Sequence, residues 1–277
     1  MKARTIALTG GAALAIALLA FIPANMIESL INKRLAPGAQ LTGISGTIWS
    51  GAATMQIAEA GQQINAEAGR QINAARGGRI EIPLTWSFAP TSLLRLRLGA
   101  DVMASGRALS GKARVEAGLL SMRLRDADIK AAMESLGRLH QNFSMLKPGG
   151  ELQIRSSGAP LSIDYLAPHA MSGRLDFAAA NVRVRSIAGL PIAVPLGSYG
   201  GHMVFDGQRV NYQIEKSSGL LALTGGGHIA LGNSREFHYK GYAAALPGSP
   251  VWLAQMLGSF GRTSPDGRAS IDYKTNW

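Results

Sequence analysis

The chain has 277 residues, no cysteine, 47% hydrophobic and 16% charged residues, and a formal net charge of +11. That leaves room for one large domain or two small ones, and it excludes a scaffold stapled by disulfides. The 34 glycines and the many short alternating segments favour β structure over a helical bundle. The basic residues are dispersed at alternating positions (Arg95, Arg97; Arg123, Arg125; Arg183, Arg185). They lack the dense cluster and aromatic interleaving of a nucleic-acid surface, so no nucleic acid is expected. Anionic headgroups, acidic protein partners or plain solvent are the expected counter-surface.

Residues 1–4 carry Lys2 and Arg4, and the run Thr5–Ile22 after them has no charge. As a helix it would extend about 27 Å at ~1.5 Å per residue, close to the ~30 Å hydrocarbon core of a bilayer. Two readings compete. A cleaved signal peptide needs a shorter apolar core and a small residue at its exit, whereas Phe21-Ile22-Pro23-Ala24-Asn25 puts Ile22 there. An uncleaved transmembrane signal anchor over 5–22 is favoured. The positive-inside rule then puts residues 1–4 in the cytoplasm and the rest outside it.

Helical spacing of Met26, Ile27, Leu30, Ile31 and Leu35 predicts that this helix continues to about residue 35, where Pro37-Gly38 stops it. From residue 39 to 277 the chain reads as one β domain, with Pro148-Gly149-Gly150 marking where it could divide internally. Gly43–Gly51 brackets Trp49 with glycines, as at a bulge or close backbone approach; a core tryptophan is the expected role. Glu59–Ala66 and Glu67–Ala74 are a tandem octapeptide differing only at Gln62 and Arg70. An insertion of even length keeps a strand's facing, so it reads as a lengthened hairpin tip.

Ile80, Ile82, Leu84 and Trp86 alternate with Arg79, Glu81, Pro83 and Thr85, a strand in which Pro83 suggests an edge or an outward N–H. Leu94, Leu96, Leu98, Ala100 and Val102 predict a second strand, and 106–116 and 119–125 two more. Over 126–146 the period changes to three and four (Ile129, Met133, Leu136, Leu139, Phe143, Leu146), predicting a helix. Strands follow over 152–155, 161–165, 174–185, 187–196, 200–205, 208–215, 220–224, 227–231 and 236–244. Ser249-Pro250 opens a predicted helix over 251–260, with Ser249 as N-cap, and a last strand covers 268–274. The expected fold is mainly β: an N-terminal transmembrane helix, then a curved, largely antiparallel sheet (an open trough or half-barrel) with two short helical segments.

Candidate chemistry is sparse. Gly106–Ala113 matches a phosphate-binding loop until Ala113 replaces the Ser/Thr that holds magnesium. Ser144–Lys147 spells SxxK without its partner motifs. The five histidines share no ligand spacing, although His228 and His238 could face each other across a hairpin at Gly232-Asn233. No catalytic, cofactor-binding or metal-ligating constellation emerges, so the chain is expected not to be an enzyme and to need no cofactor.

The words Gly46-Thr47-Ile48-Trp49-Ser50-Gly51, then Trp86 with Pro90 and Leu93-Leu94, resemble the type II secretion system protein N family. Pro148-Gly149-Gly150-Glu151-Leu152, Leu257-Gly258 and Asp266-Gly267-Arg268 are similar to it as well, so the resemblance covers essentially the whole chain. It implies a single-pass inner-membrane protein of a Gram-negative cell with a periplasmic domain. Its role would be that of a non-catalytic scaffold meeting other type II secretion components, accessory to export of folded proteins across the outer membrane. The family brings no catalytic residues; Gly46, Thr47, Trp49, Gly51, Trp86, Pro90, Pro148, Gly149, Leu257, Gly258, Asp266 and Gly267 are expected to be structural. The rival reading is a lipid-handling periplasmic groove like that of AsmA-like bridge proteins.

Overall fold

Stretches of alternating side chains fold into strands because alternation puts one set of residues on each face while the backbone pairs sideways. The computed structural model describes residues 23–33, 35, 38–58, 78–138, 147–167, 170–185, 193–231, 236–260, 264 and 266–276. The strands are β1 (Ala39–Gly46), β2 (Ser50–Ala58), β3 (Arg79–Phe88), β4 (Leu98–Ser105), β5 (Leu109–Ala117), β6 (Ser121–Ala132), β7 (Pro148–Ser156), β8 (Leu161–Asp164), β9 (Met171–Val184), β10 (Val194–Gly207), β11 (Arg209–Ser218), β12 (Leu221–Ala230), β13 (Glu236–Ala245) and β14 (Arg268–Asn276). Among the described residues three α-helices accompany them: α1 (Glu28–Asn32), α2 (Met133–Arg138) and α3 (Val251–Phe260). Two 3-10 turns cover Ala24–Ile27 and Pro90–Arg95.

All fourteen strands belong to one antiparallel sheet, and each pairs with its neighbour in sequence. The apparent exception is β8, which pairs with β6 and β9. It takes up β6 at Leu124↔Leu161, where β7 leaves it at Asp128↔Arg155. β7 and β8 are therefore one strand position, interrupted around Gly158-Ala159-Pro160. The result is a plain up-and-down meander that runs across Pro148 without a break, and among the described residues no ladder joins β1 to β14.

The residues expected to be helical from Asp126 to Ala132 are instead the second half of β6. Ala127 and Ala131 are buried and alternate with Asp126, Asp128 and Lys130, so a period of two was present beneath the longer one. Pairing with both β5 and β7 satisfies the backbone on each side, and only Met133–Arg138 is helical; 139–146 lie outside the described residues. The predicted strand around Leu94 and Leu96 is also corrected. Pro90–Arg95 is a 3-10 turn, β4 starts at Leu98, and Leu94 and Leu96 are fully in solvent. Pro83 lies in an interior strand, but β4 pairs only from Leu84 onward, so its missing N–H falls beyond that ladder. The Ser249 hydroxyl, expected at the start of α3, donates to the Leu220 carbonyl at 2.6 Å.

At the N-terminal side, Pro23 is extended (φ −66°, ψ 138°), and the helical turns after it span Ala24 to Asn32. This segment runs back along β1: Pro23 forms an antiparallel bridge to Thr47. Asn32 Nδ2 donates to the Leu41 carbonyl at 3.0 Å, and its Oδ1 accepts from Leu41 N at 2.7 Å. The run Thr5–Ile22 lies outside the described residues. Among those described, no helix is long and apolar enough to cross a membrane.

Apolar burial is concentrated where α3 lies on β13 and β14. Leu253 and Leu257 meet Leu221, Ala243 and Ala269, with Trp252 and Ile271 at the margin. A second buried point is polar. The Pro90–Arg95 turn brings the fully buried Ser92 onto Glu116, also fully buried, whose Oε2 is 3.1 Å from Arg125 Nε. A Cβ on Gly99 would overlap Ser92 Oγ, so only glycine lets the turn lie flat there. Leu253→Ala, at a position with no exposed surface, should lower the unfolding free energy by about 2–5 kcal/mol, checked by urea denaturation followed by circular dichroism.

Candidate functional site

The residues of the Gly-Thr-x-Trp-x-Gly word converge on the turn between β1 and β2. Thr47 N donates to the Ser50 carbonyl at 2.8 Å. The Thr47 hydroxyl oxygen accepts from Trp49 N at 3.3 Å and from Ser50 N at 3.2 Å. One side chain thus serves two backbone donors that a tight turn would leave open. Gly46 has φ +88°, and a Cβ there would stand 2.5 Å from Ser50 O. The turn needs glycine for conformation and for space alike.

Gly51 pairs with Trp86 of β3, and a Cβ on Gly51 would overlap the Trp86 ring. The indole instead lies over the bare glycine and donates Nε1–H to the Thr47 carbonyl at 3.2 Å. Trp49 packs edge-on against Phe88, with ring centroids 5.2 Å apart at 76°, while Phe88 N donates to the Trp49 carbonyl at 2.6 Å. Gly46, Thr47, Trp49, Gly51 and Trp86 therefore form one cluster that locks three strands together. Beside it lies a shallow open depression of about 460 Å³, lined among others by Gly46, Trp86, Asp101 and Met103. Its carboxylate is engaged: Arg114 Nε and Nη2 reach Asp101 at 2.7 and 3.1 Å, a contact that raises the guanidinium pKa further.

The remaining family words lie elsewhere. Pro90 opens the 3-10 turn that carries Ser92. Pro148 and Gly149 begin β7 at the opposite end of the sheet, where a Cβ on Gly149 would crowd Arg183. Leu257 is buried in α3, and Gly258 follows it on the exposed side. Asp266 and Gly267 (φ +75°) form the turn into β14, with Asp266 paired to Arg268 at 3.2 Å. The structure brings the first word and Trp86 together and leaves the others apart. Glu116 with Ser92 and Arg125 was missed, because nothing in sequence spacing links a strand acid to a serine in a connecting turn.

His228 and His238 do oppose one another across β12 and β13, their rings 5.4 Å apart at 71°. Each has a carboxylate: His228 Nε2 lies 3.1 Å from Glu236 Oε1, and His238 Nε2 lies 2.8 Å from Asp272 Oδ1. Lys274 Nζ, 2.9 Å from Glu236 Oε2, and then His228 hold the Glu236 carboxyl below its ordinary value. Nearby, Tyr212 stacks on Phe237 and donates its hydroxyl to the His238 carbonyl at 2.9 Å. Burial pushes the Tyr199 phenol up to about 12, and its hydroxyl donates to the Leu221 carbonyl at 2.8 Å. Among the described residues, no three His, Asp or Glu side chains are grouped to hold a metal ion.

Two outcomes are expected. Thr47→Ala should cost about 1 kcal/mol, with Thr47→Ser restoring it, read from denaturation midpoints. A depressed carboxyl stabilises the fold above its ordinary pKa of 4.5, and that stability is lost as pH falls through the folded value. Glu236→Gln should therefore flatten the loss of thermal midpoint between about pH 5 and pH 3, measured by scanning calorimetry.

The family model described as type II secretion system (T2SS), protein N matches residues 37–272. No curated protein and no solved structure matches the chain.

Proposed function

Because the chain belongs to the type II secretion system protein N family, we propose that it is a non-catalytic accessory scaffold of type II secretion. On this reading Thr5–Ile22 anchors it in the inner membrane with its N-terminus in the cytoplasm, and the sheet stands in the periplasm. There it meets another component of the machine that moves folded proteins across the outer membrane. The observation that carries the proposal is the family match, which begins just before β1 and runs into β14. The family words support it in a second way. Their residues are spent on turn geometry, ring-on-glycine packing and a helix core, as a scaffold's would be.

A second reading, a lipid-handling groove, is favoured by one observation: among the described residues the helices cover parts of the sheet, α3 over β13 and β14 and α2 beside β6 and β7. Native mass spectrometry separates the two once residues 1–22 are removed: a lipid retained in fixed stoichiometry by the β domain is expected only of the groove. Deleting the gene should lower export of secreted enzymes under high secretory load and leave inner-membrane translocation intact, scored by enzyme activity in culture medium against periplasm. Unchanged export under that load would overturn the scaffold reading.

A further inference from the structure

Antiparallel pairing between sequence neighbours sends alternate connections to opposite ends of the sheet. The end that holds the Thr47 turn also holds the connections β3–β4, β5–β6 and β8–β9, as the pairs Ser50↔Ser87, Leu98↔Ala117 and Ser121↔Asp164 require. Between β3 and β9 this end is rich in exposed apolar side chains. Leu94 is 88% exposed, Leu96 90%, Leu119 96% and Leu166 84%, with Leu98, Leu120 and Tyr165 exposed beside them. These side chains come from three separate connections, yet they form one rim. Arg97 Nη1 donates to the Ser121 carbonyl at 3.2 Å, and Tyr165 N donates to the Leu120 carbonyl at 3.0 Å. At ~4.8 Å per strand the row extends about 24 Å.

Two details show that the outward leucines are held in place rather than left over. Leu96 sits at φ +52°, a conformation disfavoured for a bulky residue, and it points its side chain into solvent. Asp164 Oδ1 accepts from Leu166 N at 2.8 Å, fixing the turn that presents Leu166. A contiguous exposed apolar patch of this kind marks a surface that meets protein or membrane.

The N-terminal segment decides between them. Pro23 is bridged to Thr47, at the same end of the sheet as the rim, and the residue before it is Ile22, last of an 18-residue run without charge. Whatever that run enters therefore begins at the level of the rim. We infer that this rim rests in the interfacial layer of the membrane entered by Thr5–Ile22, with the leucines dipping toward the acyl boundary and Tyr165 at headgroup depth. Only side chains enter, because backbone groups cannot be left unpaired in hydrocarbon. Phenols suit the interface because ring and hydroxyl prefer opposite sides of it. The orientation rests on the proposed anchor; the apolar rim does not.

The chain has no cysteine, so single-cysteine variants of the 277-residue chain report cleanly. Leu119→Cys and Leu166→Cys mark the rim. Arg107→Cys marks an exposed turn at the opposite end. Each is labelled with an environment-sensitive fluorophore and reconstituted into phosphatidylethanolamine–phosphatidylglycerol vesicles containing doxyl-labelled lipid. The expected result is a blue shift and several-fold stronger quenching at 119 and 166 than at 107. Rim probes quenched no more than the 107 probe, in protein that resists carbonate extraction, would overturn the inference and leave the anchor standing, the rim then facing protein or water. Rim quenching in protein that carbonate strips from the vesicles would uphold the rim and overturn the anchor.

Discussion

Backbone hydrogen bonding along one continuous antiparallel ladder is what the rest of this molecule depends on. Among the described residues a sheet of fourteen strands has no second full layer, and its largest fully buried side chains are Leu253 under α3 and the polar pair Glu116 and Ser92. Each interior strand pairs on both sides over much of its length, so most backbone groups are satisfied even where the faces stay wet. The small apolar core at α3 and the half-buried ion pair of Glu116 with Arg125 near the Pro90–Arg95 turn then act as local clamps on a frame that pairing has set. At the open edge of β1, Asn32 supplies through its side-chain amide the donor and acceptor that a neighbouring strand would have given.

Close approach of aromatic rings to bare glycine recurs as the means of stiffening this thin sheet. Trp86 lies over Gly51, and Tyr212 covers Gly227, where a Cβ would meet the His238 carbonyl. In each case the ring's polar atom reaches a carbonyl beyond its own glycine partner, Thr47 O in the β1–β2 turn for the indole and His238 O on β13 for the phenol. One residue thereby ties three strands. Glycine in mid-strand weakens a sheet when left alone; an aromatic laid across it recovers contact area and adds a hydrogen bond.

The sequence made the β class and most strand positions legible, because alternation survives wherever one face is drier than the other. Ile80 and Ile82 are buried and their neighbours exposed, as the pattern implied. The pairing of His228 with His238 was legible too, since the short connection between β12 and β13 fixes the register. Reading failed where two periods coexisted, as in Asp126–Ala132, and there long-range pairing with two neighbours chose the strand. It failed again at Leu94 and Leu96, whose alternation with arginines mimics a strand. The choice between core and outward-facing leucine depends on where Ser92 and Gly99 anchor the turn, and that contact leaves no local signature.

The register between β2 and β3 has a consequence for how this chain can vary. Ala58 pairs with Arg79 at the end of this hairpin away from Thr47; the tandem octapeptide of residues 59–74 falls between them in sequence and lies outside the described residues. A ladder is indexed from its paired residues, not from the length of chain between them, and lengthening a closed loop adds little entropy. A duplication there shifts sequence numbering downstream by eight while leaving Gly51 against Trp86 and every later pair as before. A change of length between Ala58 and Arg79 leaves the ladder as it is, whereas a change beside Pro23, which is bridged to Thr47, would disturb it.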